Sequence, residues 1–372
     1  MRILTHTVTS STALLLPYFT KHKPQRRMYM STTAIQLQHP RRLRDLYSSY
    51  ERTAAGNVSS SAHRKDPTEK EAVVVIIGAT GTGKSKLSVE LSSFFSGEVL
   101  NSDKIQVYRG LDITTNKIPI PERQGVPHHL LGELDPAAGE LPPAGFRALA
   151  GHVISDVSAR RRLPVLAGGS NSFVHALLSE RYDPKSDPFG PAAVEKADGR
   201  LRYRCCFLWV HVEAAVLAEY LDRRVDEMVA EGMVEELERY FAVEGEAKRH
   251  PGLGKAIGVP EFLEYFTRRG GRTASAYEAA VAAIKANTRR LAEEQVRKIE
   301  RLAAMGWPLR KVDATATVAE RLAGKGRTAA PWRRDVAGPS VAAVERFLEK
   351  KDDGVRCRRN RTCVAPPSIL IA

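Results

Sequence analysis

One stretch constrains the fold more than any other: the apolar run Val73-Val74-Val75-Ile76-Ile77, the loop Gly78-Ala79-Thr80-Gly81-Thr82-Gly83-Lys84-Ser85, and then KLSVELSSFF at helical spacing. The apolar run has the length of a strand buried on both faces, and the segment after the loop has the period of a helix packed along one side. The loop matches G-x-x-x-x-G-K-[ST] in the strand, loop, helix setting that gives the pattern its meaning. Its glycines let the backbone curl until several N–H groups converge on one anion, and the following helix adds the positive end of its dipole. Lys84 supplies a mobile cation to a terminal phosphate and Ser85 a hydroxyl to Mg²⁺. Such a loop reports a diphosphate without saying whose, and a motor ATPase or a kinase would satisfy it equally well.

Further apolar runs end at NSDKIQVY (residues 101–108) and lie in PVLAGG (164–169) and CCFLWVHV (205–212), with gaps long enough for crossover helices. Repeated units of this kind predict an α/β fold, a P-loop NTPase-like parallel sheet flanked by helices. Beyond Ala214 the pattern turns helical, through LAEYLDRRVDEMVAEGMVEELERYF and YEAAVAAIKANTRRLAEEQVRKIERL, which predicts a smaller, mainly helical C-terminal part. The expected organisation is an extension over 1–68, a P-loop domain over 69–335 and a poorly ordered basic tail over 336–372.

The formal charge of +14 raises the question of nucleic acid, and its placement answers it. Residues 1–70 hold twelve Lys/Arg against four Asp/Glu, and residues 351–372 five against two, so only +3 is left for the long middle. The basicity lies in the ends, and no nucleic-acid partner is expected. The first fifty residues carry Arg2, Lys21, Lys23, Arg26, Arg27, Arg41, Arg42 and Arg44 against the single acid Asp45, amid many Ser and Thr. That composition predicts a transit peptide; a non-targeting extension is the alternative. The apolar runs are too short to span a bilayer, so no membrane association is expected. The adjacent Cys205 and Cys206 read as strand residues, and with Cys357 and Cys363 they form neither a disulfide framework nor a paired zinc motif.

Asp103, at the end of the second apolar run, is the first candidate for chemistry. The carboxyl ends of parallel strands face one crevice, which brings this carboxylate near the bound phosphates. It can hold Mg²⁺ through water, act as a general base, or cap the next turn. Neither of the later apolar runs, PVLAGG or CCFLWVHV, ends in an aspartate of the kind that holds magnesium in motor ATPases, which weakens that reading and leaves a lid-type kinase open.

Taken in order, GATGTGKS, NSDKIQVYRGLDITTNK, GVPHHLLG, LAGGSNSF, RYRCCFLWV, KAIGVPEF and IKANTRRLAEEQ resemble the plant adenylate isopentenyltransferases, from about residue 72 to 303. The related transfer RNA dimethylallyltransferases share the P-loop, the aspartate and the QVYRGLDI element, whereas Lys104 and Thr114-Thr115-Asn116-Lys117 side with the free-nucleotide enzymes. The resemblance implies a monomeric plastid enzyme of cytokinin biosynthesis, with the mitochondrion or cytoplasm as other destinations. Its P-loop would hold dimethylallyl diphosphate with Mg²⁺, and Asp103 would be the general base toward the amine of ATP, ADP or AMP. It further implies that Arg224 reaches the prenyl diphosphate, and that Lys255, Lys285 and Thr288 border the nucleotide. An exposed helix arginine and a solvated basic face are the plainer readings of Arg224 and of the lysines.

In the last long helix, Val281, Ile284, Thr288, Leu291, Gln295, Ile299 and Leu302 recur at helical spacing. Thr288 and Gln295 interrupt the apolar stripe, so they are expected to border a cleft. Where the family commonly carries two basic residues before AIGVPE, this chain has Gly254-Lys255, and Glu293 and Glu294 stand where a basic residue is frequent. Both changes lower the positive charge expected near nucleotide phosphates. His211 stands where an aspartate is frequent. The rivals are a transfer RNA dimethylallyltransferase, a small-molecule kinase and a non-catalytic nucleotide binder.

Overall fold

The computed structural model describes residues 70–190, 199–244, 250–324, 326 and 328–359, all within one compact unit. The expected transit segment 1–68 and tail residues 360–372 lie outside the described residues.

In chain order the first half runs β1 (Ala72–Ile77), α1 (Lys84–Phe94), β2 (Gly97–Asn101), β3 (His128–His129), α2 (Pro143–Ala159), β4 (Leu163–Ala167), α3 (Asn171–Leu178) and β5 (Arg204–His211). The second half adds α4 (Ala214–Ala230), α5 (Met233–Glu244), α6 (Val259–Thr267), α7 (Ala274–Ala304), β6 (Leu309–Asp313), α8 (Thr315–Leu322) and α9 (Gly338–Arg359). The strands form one six-stranded sheet in the order β3-β2-β4-β1-β5-β6, and every pairing is parallel.

Strand β1 is central, and its run Val73–Ile77 is fully buried because helices cover both faces of the sheet. Val73, Val75 and Ile77 point to one face, where Phe146, Val153, Phe173 and Ile299 pack. Val74 and Ile76 point to the other, against Leu87, Leu91, Leu221 and Val318, as the two-residue period of a strand requires. No helix among the described residues is long and apolar enough to cross a membrane.

The C-terminal part is mainly helical, as expected, and also returns one strand, Leu309–Asp313, to the sheet beside β5. In LRKVD only Val312 is buried, so this edge strand carries charges outward and shows little hydrophobic pattern. One expectation is corrected: the domain does not end at 335. Trp332, Val336, Ala343 and Val344 are buried against the α1 face of the sheet, and α9 begins within the segment expected to be disordered. Widely spaced large residues among small ones and clustered arginines conceal that packing in the sequence.

The order of strands decides the site. Because β4 lies between β1 and β2, the loop after β4 separates the glycine loop from Asp103, which is therefore not on the strand next to β1. All of these loops leave the carboxyl edge, where ligands bind in open parallel sheets.

Candidate active site

The glycine loop is clamped by its neighbours. Each clamp explains a residue type. A Cβ at Gly78 would come within 2.4 Å of the Val210 carbonyl oxygen, so the loop leaves β1 pressed against β5. Gly81 and Gly83 have φ of 82° and 96°, which side chains disfavour, and a Cβ at Gly81 would meet Leu221 at 2.8 Å. Inside the loop the Ala79 carbonyl accepts from Thr82 Oγ1 at 3.0 Å and from Lys84 Nζ at 2.7 Å. The Thr80 N–H donates to Gln295 Oε1 at 2.8 Å, and Arg224 Nη1 donates to Thr80 Oγ1 at 3.2 Å.

The charges at this end lack acidic partners. Among the described residues, neither Lys84 nor Arg224 makes an ion pair. Burial pushes the Lys84 ammonium down to about 8, Asp103 opposes that fall, and the like charge of Arg224 adds to it. Burial also pulls the Arg224 guanidinium below its ordinary value. Two partly desolvated cations beside converging backbone amides form a site that an anion would complete.

Asp103 fills one of the three roles expected of it. Its Oδ1 accepts from the N–H groups of Ile105 at 2.9 Å and Gln106 at 3.2 Å, so it does cap the next turn. Its Oδ2 makes no hydrogen bond among the described residues and lies toward Gly169, where an added Cβ would sit 3.5 Å away. The cap therefore orients the carboxylate and leaves one oxygen uncommitted. The Asp103 N–H donates to Asn101 Oδ1 at 3.1 Å and the Lys104 N–H to Ser170 Oγ at 2.8 Å, which fix this turn against β2 and the β4 loop.

The glycines of PVLAGG make that approach possible. A Cβ at Gly168 would lie 2.4 Å from the carbonyl carbon of Ser102, and one at Gly169 would lie 2.3 Å from Gln295 Nε2. Gln295 Nε2 donates to the Gly169 carbonyl at 3.1 Å while its Oε1 holds Thr80, so a single carboxamide ties the glycine loop to the wall beside Asp103. The sequence singled out Gln295 as a polar break in an apolar stripe, and its side chain is buried with both ends of the carboxamide hydrogen-bonded to loops. Leu291 does not belong to that stripe: it is 38% exposed, and Ala292 is buried in its place.

The other expected residues stand apart from the glycine loop. Lys255 pairs with Glu140, which also pairs with Lys104, the neighbour of Asp103. Lys285 pairs with Asp226 at 2.6 Å, and Arg289 with Asp222. Thr288 is half-buried on α7, between the buried Ile284 and Ala292. Sequence reasoning missed Glu140 and Trp332. A lone acid in a loop and a tryptophan far along the chain carry no local pattern that would single them out.

No group of three or more His, Cys, Asp or Glu side chains able to hold a metal occurs among the described residues. A hydroxyl and a carboxylate oxygen do suit a hard cation that takes most of its ligands from water and phosphate: Ser85 is exposed at the start of α1, and Asp103 Oδ2 is uncommitted.

A family model described as IPP transferase matches residues 106–198 and 185–301. An adenylate isopentenyltransferase of Humulus lupulus is 48% identical over 299 residues, covering 74% of this chain and 90% of its own length. The chain belongs to this isopentenyltransferase family. The chloroplastic adenylate isopentenyltransferase 1 of Arabidopsis thaliana is 48% identical and covers 78% of the chain and 83% of its own length. A mitochondrial relative from the same plant is 39% identical, covering 81% and 88%. Among solved structures, a eukaryotic dimethylallyltransferase acting on tRNA matches this family member with a TM-score of 0.62 at 25% identity, covering 75% of this chain and 80% of that one. The Bacillus halodurans tRNA isopentenylpyrophosphate transferase matches with a TM-score of 0.55 at 29% identity, covering 69% and 97%.

Proposed function

We propose that the chain transfers the dimethylallyl group of dimethylallyl diphosphate to the exocyclic amine of a free adenine nucleotide, the first committed step toward an isopentenyladenine cytokinin. The observation that carries the reading is the meeting of two cations that lack an acidic partner, Lys84 on the glycine loop and Arg224 on α4, with a carboxylate whose second oxygen is uncommitted. Curated relatives named for this activity support the choice of a free nucleotide.

The glycine-loop amides, Lys84 and Arg224 grip the diphosphate and stabilise the charge it gains as the allylic C–O bond breaks. Residues Gly78 to Ser85 act as one cradle in this role. The adenine nitrogen forms the new N–C bond with the same carbon, and its proton passes to Asp103 Oδ2, while the electron pair of the broken bond leaves with the diphosphate. An aromatic amine is a weak nucleophile, so alignment of nitrogen with carbon supplies much of the acceleration. Gln295 contributes by holding the two walls in register. Mg²⁺ held by Ser85, the diphosphate oxygens and water would supply further charge neutralisation at the leaving group.

Lys255, Lys285 and Thr288 are the proposed contacts for the nucleotide, with ATP or ADP preferred and AMP accepted more weakly. Plastid import through residues 1–68 completes the proposal, and the chloroplastic names of several relatives support it. A fluorescent fusion of those residues that stayed diffuse or entered mitochondria would overturn the plastid assignment. For the chemistry, purified protein is incubated with Mg²⁺, dimethylallyl diphosphate and ATP, ADP, AMP or unmodified transfer RNA. Prenylated nucleotide is expected. Product on transfer RNA alone, or phosphate transfer without prenylation, overturns the reading.

A further inference from the structure

Three elements brace the glycine loop, and one of them comes from the segment that the sequence gives least reason to notice. Gln295 on α7 and the Leu221 and Arg224 side chains on α4 supply the other two contacts. Trp332 differs, because it reaches the loop from the C-terminal segment. Its ring lies where a Cβ on Gly83 would come within 2.9 Å, and Gly83 is the residue at which the loop turns into α1. The indole Nε1 donates to Glu90 Oε2 at 2.7 Å, and the Lys86 ammonium sits 4.3 Å from the ring centroid. Lys86 and Glu90 are themselves paired at 3.0 Å on α1. The indole is thus locked against the first two turns of the helix whose start carries Lys84 and Ser85.

The segment that holds Trp332 is itself anchored. A π-helical turn, Arg333–Ala337, joins the tryptophan to α9, and Val336 and Val344 are fully buried beside Leu87 and Leu91. Farther along, Arg204 of β5 donates to the Phe347 carbonyl at 2.5 Å and lies 4.2 Å from the Phe347 ring centroid.

We infer that Trp332 is a positioning residue for the diphosphate site: the C-terminal segment holds the glycine loop in its anion-binding shape before the anion arrives. A loop with glycines at φ of 82° and 96° has many alternatives to that shape, and each must be given up on binding unless the fold excludes it beforehand. The brace also fixes where α1 begins, and with it the aim of Lys84 and Ser85. It rests on the reading of the loop as the prenyl diphosphate site.

The test uses the full chain. Trp332→Ala is expected to raise KM for dimethylallyl diphosphate about tenfold, with kcat and the nucleotide KM within about twofold of the parent, because preorganisation is lost on one side of the cleft only. Trp332→Phe keeps a ring against Gly83 and drops only the Nε1 bond, so it is expected to recover most of the loss. A second readout needs no destabilising change: in protein labelled with fluorotryptophan, the resonance that Trp332→Phe removes is expected to shift when inorganic pyrophosphate and Mg²⁺ are added. An unchanged KM for the prenyl donor, equal rises in both KM values, or a Trp332 resonance insensitive to pyrophosphate overturns the inference. Lys84→Ala is run beside them. If that change leaves the prenyl-donor KM untouched, the loop reading itself fails; if it raises KM while Trp332→Ala does not, only the brace fails.

Discussion

The two ends of the cleft carry cations of opposite character. At the glycine loop Lys84 and Arg224 are partly buried and make no ion pair among the described residues, and burial depresses both. Away from the loop Lys104 and Lys255 share Glu140, Lys285 holds Asp226 and Arg289 holds Asp222. A desolvated cation without an acid gains most when an anion arrives, whereas a paired lysine must first release a carboxylate. On the proposed function, tight anion binding falls to the loop and weaker, tunable binding to the paired lysines, with Asp103 as the base.

The largest effect should come from that base. Asp103→Asn keeps an oxygen to cap Ile105 and Gln106 but removes the proton acceptor. Turnover is expected to fall by about 10² to 10⁴, the usual range for a general base, while KM for dimethylallyl diphosphate stays near the parent value. Steady-state kinetics check this, and near-normal turnover would remove Asp103 from the chemistry.

The next effect tests the loop end by pH. Lys84 is depressed to about 8 in the free protein. A bound diphosphate favours the charged ammonium and raises that value, so binding takes up a proton wherever the free lysine has lost its own. Affinity for the prenyl donor is therefore full below about 8 and falls as pH rises through it. The expected fall in kcat/KM for dimethylallyl diphosphate is about tenfold per pH unit above that point. Lys84→Arg, which stays charged, is expected to abolish the fall even if it lowers the plateau. A flat profile in the parent would break the contrast between the two ends.

How much of this was legible beforehand follows from where each signal resides. Central strands and the glycine loop were readable because their residues meet local demands: burial on both faces for Val73–Ile77, and close approach of the chain at Gly78 and Gly81. Asp103 was readable as a strand-end carboxylate, but its separation from the loop by β4 was not, since strand order is a long-range property. Strand β6 escaped because an edge exposes its charges, and α9 because its buried residues are few and small. The ion pairs of Lys255 and Lys285 were invisible for a similar reason: their partners, Glu140 and Asp226, lie 115 and 59 positions away in the chain. A lysine in a matching motif looks the same whether or not an acid faces it.

Gln295 offers a way to sharpen the comparison at the junction of the two walls. Gln295→Glu keeps an acceptor for the Thr80 N–H, loses the donor to the Gly169 carbonyl and sets a carboxylate beside the anion site. KM for dimethylallyl diphosphate is expected to rise about tenfold, since like charge near a partly desolvated site is repelled strongly. The nucleotide KM should move far less. Equal changes in the two would mean that the carboxamide serves the whole cleft and not the loop.

The smallest effect is the most direct test of the paired end. Glu140 holds Lys104 and Lys255 at once, and those ammonium groups pull its carboxyl below the ordinary range against a smaller opposing push from burial. Glu140→Gln leaves both lysines free to meet a polyphosphate. Lys255 is more than half exposed, so water and salt screen most of the gain, and KM for ATP or ADP should fall only about threefold. AMP, with a single phosphate, should respond less, and added salt should erase the difference, as it does for charges at a wet rim. If ATP and AMP improved together and salt made no difference, these lysines would not distinguish nucleotides by their phosphates. The weak positive charge of this end would then have to be explained by folding alone.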